Sequence, residues 1–203
     1  MIHQENQGLS QARNHGLAEA EGQFVWFVDS DDTIRENCLN ELISCISRED
    51  AKMMRIGGKW ESLPERGNSY PKGWMSREVA IAGNGREVCV PLYIYRRDFL
   101  VNNRLNMKAG IYHEDSEFQP RAIYKAERIY GYDGYPVYYV RENPESITHN
   151  KLKKRTKDVV GICKNEWNEL HRGEWKNADR AWKRAIKTHI KTTLHSIIRS
   201  WIR

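Results

Sequence analysis

Phe24-Val25-Trp26-Phe27-Val28 runs directly into Asp29-Ser30-Asp31-Asp32. Five apolar residues ending on a carboxylate cluster read as a strand buried on both faces, in the manner of a parallel sheet. The acids then fall just past its carboxyl end, where open α/β sheets bind ligands. Two Asp separated by one small residue can offer oxygens to one divalent cation, and a hard cation such as Mg2+ or Mn2+ suits a diphosphate. A solvated turn after a strand has the same composition, so the neighbouring sequence has to decide between the two.

Upstream lies Asn6-Gln7-Gly8-Leu9-Ser10-Gln11-Ala12-Arg13-Asn14-His15-Gly16-Leu17. It reads as a loop entering a helix, with Ser10 as N-cap and Gly22 as the stop. Arg13 and Asn14 then fall in the first turns, near the positive helix end, where a phosphate or a base could be met. A capped surface helix with an incidental Arg is the plainer alternative.

Helix, apolar strand and Asp-x-Asp in this order resemble the family 2 glycosyltransferases of the GT-A fold. Residues 6–32 match the family run Asn-x-Gly-x-Ser-x-Ala-Arg-Asn followed by Asp-Ser-Asp-Asp. Ile111-Tyr112-His113-Glu114-Asp115-Ser116-Glu117-Phe118 resembles its His-Glu-Asp-x-x-Phe segment, and Tyr138 to Thr148 its Tyr-Arg-x-x-x-x-Ser-Ile-Thr segment. The resemblance implies an α/β fold: a truncated GT-A mixed sheet with flanking helices over residues 1–150, plus a helical C-terminal extension over 151–203. Family members begin with a nucleotide-binding half, and Met1 falls where their fourth strand region would be. A strand left without those neighbours exposes backbone groups and an apolar face, which predicts a homo-oligomer.

The chemistry implied is inverting transfer of a sugar from a nucleotide-diphosphate-sugar donor to a saccharide or lipid-linked acceptor. Asp115 is the implied base and Glu114 the less favoured one; without the resemblance both read as acids complementing a helix dipole. Asp31 and Asp29 are the implied metal ligands, with Asp29 also able to reach a ribose and His149 as a further candidate ligand. Asn6, Gly8, Ser10, Arg13 and Asn14 belong to the donor-side run. His113 orients the acceptor or merely caps a helix, while Arg141, Ser146 and Thr148 fall near the leaving diphosphate. No Gln-x-x-Arg-Trp run marks the chain as processive. An inactive remnant, or a scaffold protein acting through its basic tail, stays open beside the enzyme.

That tail is a distinct region. Residues 151–203 hold 15 Lys or Arg against 5 Asp or Glu, whereas the rest of the chain holds 18 against 22. Trp182, Ile186, Ile190, Leu194, Ile197, Ile198 and Trp201 recur at helical spacing, with most of the basic residues away from them. A basic amphipathic helix with Trp suits an anionic membrane surface; packing on the domain or on another copy is the alternative. Nucleic acid is not expected, since no binding module accompanies the charge. The four Cys lack metal-finger spacing, and Cys38 and Cys45, seven apart on a predicted helix, read as packed thiols. With no apolar segment shaped as a signal or a span, the expected location is cytoplasmic, peripheral at the inner membrane face at most.

Elsewhere the pattern predicts a helix over 36–47, strands over 51–56, 87–95 and 135–140, a loop over 57–74, and a short helical turn over 97–103. A further helix is predicted from Glu114 to Ala126, with Pro120 restricting its start or kinking it.

Overall fold

A computed structural model of the chain describes residues 2–61, 71–82, 88–141 and 152–202. Its main sheet has five strands in the order β1 (Phe24–Trp26), β6 (Tyr93–Arg96), β3 (Met53–Arg55), β7 (Arg128–Gly131), β5 (Gly73–Ser76). Only β3 and β7 pair in parallel there. A second sheet of three short strands orders β2 (Thr33–Ile34), β8 (Tyr138–Val140) and β4 (Gly58–Trp60). The architecture is mixed α/β, as the sequence predicts.

The apolar run departs from its expected setting. β1 is an edge strand, antiparallel to β6, with Val25 opposite Tyr95. Val25 is buried, Phe24 and Trp26 are half-buried, and Val28 is 46% exposed. One flank of the strand meets the sheet and the other opens onto a cavity, so the run is not covered on both faces. Rings still anchor it: Phe27 meets Tyr95 edge-on at 6.0 Å and Trp26 donates its indole N–H to the carbonyl of Pro91 at 2.8 Å.

The helix before it is α1 (Leu9–Glu19), and its cap is Gly8, not Ser10. Gly8 has φ +85°, a conformation that costs a side-chain-bearing residue but not glycine. The side chain of Asn6 accepts the Gly8 N–H at 3.1 Å and steadies that turn. Ser10 is buried inside the first helical turn. The helix stops at Glu19, before Gly22.

The other helices that matter for the site are α2 (Leu39–Arg48), α3 (Arg77–Ile81), α4 (Arg97–Asn102) and α5 (Glu114–Ala126). α5 runs through Pro120 without ending there. Inside 57–74, two ends are strand rather than loop: β4 is too short and too Gly-bearing to signal itself, and β5 begins at Gly73. Residues 142–151, which include Ser146, Thr148 and His149, lie outside the described residues.

The C-terminal segment forms α6 (Leu152–His171) and α7 (Arg180–Ile202), which pack on each other, with α7 also against α3. Trp182, Ile186, Ile190 and Ile197 are buried and belong to the same hydrophobic cluster as the sheet residues Met53, Tyr95 and Ile129. Trp182 sits 5.2 Å from Tyr124 of α5 and 5.6 Å from Trp175, centroid to centroid. Arg77 lies over both Tyr124 and Trp182 and pairs with Asp179 at 2.6 Å. The apolar stripe therefore faces protein, and its burial removes it as a lipid-inserting face. Among the stripe residues whose side chains are described, Ile198 is the exception, at 56% exposed; the Trp201 side chain lies outside them. Among the described residues no helix is long and apolar enough to cross a membrane.

Candidate active site

The cavity beside β1 has a volume of about 970 Å³, and its walls come from α1, from β1 with the turn after it, from the start of α5, and from α6. Asp29, Asp31, Arg13, His113, Glu114, Asp115 and Arg155 all line it. Sequence positions up to 146 residues apart (9 and 155) thus meet around one space.

Arg13 is the centre of this cluster. Its guanidinium contacts Asp29 at 2.5 Å, Glu114 at 3.0 Å and Asp115 at 3.3 Å, with only 8% of its side-chain surface exposed. Burial by itself would lower the Arg13 pKa, but Asp115, Asp29 and Glu114 outweigh it and the net direction is up. The cation is locked on. Three carboxylates around one guanidinium leave the cluster net acidic when all are ionised, and that electrostatic setting attracts a further cation.

Asp115 is held by both oxygens. One accepts from Arg13, the other from the backbone N–H of Val90 at 3.1 Å. Burial pushes its carboxyl upward and Glu114 adds to this, while Arg13 and the Val90 N–H pull it back; the balance is about 7. A quarter of its side chain stays accessible, so the carboxyl is tuned by burial yet can be reached. Its place on the first turn of α5 sets the carboxylate by the positive helix end. Glu114 is more deeply buried and turns onto Arg13.

His113 precedes α5 in the left-handed region, φ 60°, unusual for a residue with a Cβ. No side-chain cap bond comes from it; its backbone carbonyl accepts from the Ser116 N–H at 3.0 Å. Its Nε2 faces the Arg155 guanidinium at 3.4 Å. Burial, then the charge of Arg155, lowers the His113 pKa, so the ring is a neutral acceptor at pH 7.

The turn Asp29–Asp32 is fixed by Tyr138 of β8. The Tyr138 hydroxyl donates to Asp32 at 2.6 Å and accepts the Asp29 N–H at 3.1 Å. Asp32 also accepts the backbone N–H of Arg141 at 3.0 Å, which ties the first and third sequence motifs together. Asp32 is thereby committed to structure, whereas Asp31 is exposed on the cavity wall. The Arg141 backbone meets the turn, and its side chain is exposed. Asn14 grips the backbone of Met107 with two bonds of 2.8 Å, clamping α1 to the segment before α5. Asn6, Gly8 and Ser10 shape the entry to α1.

Three features escaped the sequence. Arg155 stands in a basic run with nothing to single it out, the Val90 N–H belongs to a main chain, and Tyr138 opens the third motif with nothing to mark its hydroxyl as the brace of the Asp29–Asp32 turn. For a metal, no group of three potential ligands is found among the described residues. The exposed Asp31 and the half-buried Asp29 nonetheless fit a Mg2+ or Mn2+ of the kind held by one or two carboxylates together with substrate phosphates.

The chain is similar to known proteins in sequence and in fold. The sequence profile described as Glycosyl transferase family 2 covers residues 1–105. The chain is 31% identical over 164 residues to the uncharacterized glycosyltransferase EpsJ of Bacillus subtilis, covering 75% of this chain and 47% of that protein. It is 26% identical over 167 residues to the uncharacterized glycosyltransferase YibD of Escherichia coli, covering 76% of this chain and 48% of that one. It thus spans about half the length of these relatives. The crystal structure of Staphylococcus aureus TarS residues 1–349 in complex with UDP-GlcNAc superposes with a TM-score of 0.63 at 19% identity, over 97% of this chain and 65% of that one. At that identity the likeness speaks for the fold, which is GT-A. With more than half its residues under the family profile, the chain belongs to glycosyl transferase family 2.

Proposed function

We propose that this chain carries the acceptor-side and metal-side machinery for moving a sugar from a nucleotide-diphosphate-sugar to a hydroxyl of a saccharide or lipid-linked acceptor, one sugar at a time and with inversion. The observation that carries the reading is the Asp29–Arg13–Asp115 bridge across one cavity. It puts a carboxyl with a pKa of about 7 beside the Asp-x-Asp turn. A base of that pKa is ionised in a large fraction at neutral pH and still strong enough to take a proton. Asp115 accepts the acceptor hydroxyl proton as the hydroxyl oxygen attacks the anomeric carbon from the face opposite the diphosphate. The glycosidic bond to the diphosphate breaks with its electron pair, which gives inversion. A Mg2+ or Mn2+ at Asp31 and Asp29 would supply Lewis-acid neutralisation of the departing diphosphate. Arg13 holds Asp29 and Asp115 in register, and neutral His113 keeps the Arg155 guanidinium on the cavity wall.

Calorimetry with UDP-GlcNAc and a panel of other nucleotide sugars, with and without manganese, tests this. Manganese-dependent heat that is lost in Asp31→Asn is expected. Absence of heat for every donor in either condition leaves a chain that keeps the fold without holding a donor.

The edge of β1 supports a second element of the reading, self-association. Its outer side has no strand partner among the described residues, and Phe24, Trp26 and Val28 line the cavity next to it. Sedimentation velocity is expected to show a species heavier than the 23.9 kDa chain. A single monomeric boundary at all concentrations removes oligomerisation from the proposal.

A further inference from the structure

The inner face of α7 is committed to the core; its outer face carries something else. Arg180, Lys183, Arg184, Lys187 and Lys191 line one shallow groove of about 510 Å³. Their spacing of three and four residues sets them in a line, spanning about 16 Å at 1.5 Å per residue. α7 contains no Asp or Glu. Among the described residues, no carboxylate pairs with Arg180, Arg184, Lys187 or Lys191. Lys183 donates to the carbonyl of Lys176. Trp167 of α6, 48% exposed, borders the line with its ring 5.7 Å from the Lys187 ammonium.

Unpaired like charges in a row on one helix repel one another, and nothing in the fold requires them there. A helix face whose surface role is structural mixes signs. Burial of Trp182, Ile186 and Ile190 rules out insertion by rolling the helix into lipid. What remains is a straight cationic edge with a neighbouring indole, and an indole beside basic residues is suited to the headgroup region of a bilayer.

We propose that the outer face of α7 docks the protein on an anionic bilayer by charge, with Trp167 at the headgroup level and no helix inserted. This does not rest on the transferase reading: the surface lies on residues that the catalytic cavity does not use. Each basic residue near an anionic leaflet contributes comparably, so losing three lowers the partition coefficient roughly 100-fold. Binding that depends on charge also weakens as salt shortens the screening length.

The test uses the full chain with sedimented vesicles of phosphatidylcholine containing one third phosphatidylglycerol, against pure phosphatidylcholine. Expected are binding to the anionic vesicles only, release on raising salt, and a roughly 100-fold loss in the triple variant Arg184→Gln, Lys187→Gln, Lys191→Gln. Those three side chains are exposed, and circular dichroism melting checks that the fold is kept. The control Lys52→Gln with Lys108→Gln, exposed elsewhere, should bind as the parent does. Equal loss in the control, unchanged binding in the triple variant, or no binding to anionic vesicles at low salt overturns the proposal. So does a short single-stranded DNA that competes the chain off the vesicles and binds it more tightly, which would make the face a nucleic-acid site.

Discussion

Asp115→Asn is expected to lower sugar-transfer turnover by about 100- to 10,000-fold, the usual contribution of a positioned general base. The substitution is nearly isosteric. The amide oxygen can still accept the Val90 N–H that orients the parent carboxylate. What it cannot do is accept a proton. Fold stability should not suffer, because one of three carboxylates crowding Arg13 has been removed. The parent's rate should climb with pH as Asp115 ionises and level off above about 7, the value set by burial and Glu114 against Arg13. Turnover at saturating donor, followed across pH, reads both effects. A fall of less than about threefold in Asp115→Asn would move the base elsewhere, with Glu114 the next candidate.

Arg13→Ala is expected to destabilise the fold by about 3–5 kcal/mol at neutral pH, since it leaves buried carboxylates without their cation. The sign of its pH dependence follows from linkage. Without Arg13, the Asp115 carboxyl loses the cation that pulls it down, and its folded-state pKa rises above the parent's value of about 7. Above about pH 7 the variant's folded state holds more protons than the parent's, so its stability falls more steeply as pH rises. The deficit relative to the parent should then be level below about pH 7 and grow as pH rises through it. The acid limb of activity should move to higher pH as well. Urea melts across pH measure the first, and Arg13→Lys, which keeps a charge but not the fork that reaches three partners, should restore only part. A neutral-pH change within about 1 kcal/mol would show that the cluster is held by something other than this guanidinium.

Much of this site was legible in the chain because its residues stand in short runs. Asp29 to Asp32 follow an apolar run and Glu114 and Asp115 open a helix, so their types and spacing mark them before any folding is considered. What joins them was not legible. Arg13 reads as a surface residue or a phosphate ligand, and only the packing of α1 against α5 and the turn after β1 reveals that its partners are three carboxylates. A backbone donor such as the Val90 N–H leaves no trace in sequence, since every residue but proline has one. The apolar run misled about its surroundings for a related reason. Hydrophobicity reports that a strand meets cover, not whether the cover is a neighbouring strand, a helix or the wall of a cavity. Ser10 fits the N-cap preference, yet Gly8 takes the cap because the chain turns there at positive φ.

The seating of Trp182 among Tyr124, Trp175 and Arg77 has a genetic consequence. A nonsense codon upstream of it would not shear off a dispensable tail. It would strip the wall from α5, lay Tyr124 bare and hand the product to proteolysis. On the opposite side of the same helix only exchanges that keep the positive charge should be tolerated, so two patterns of change would alternate every three or four codons along one gene segment.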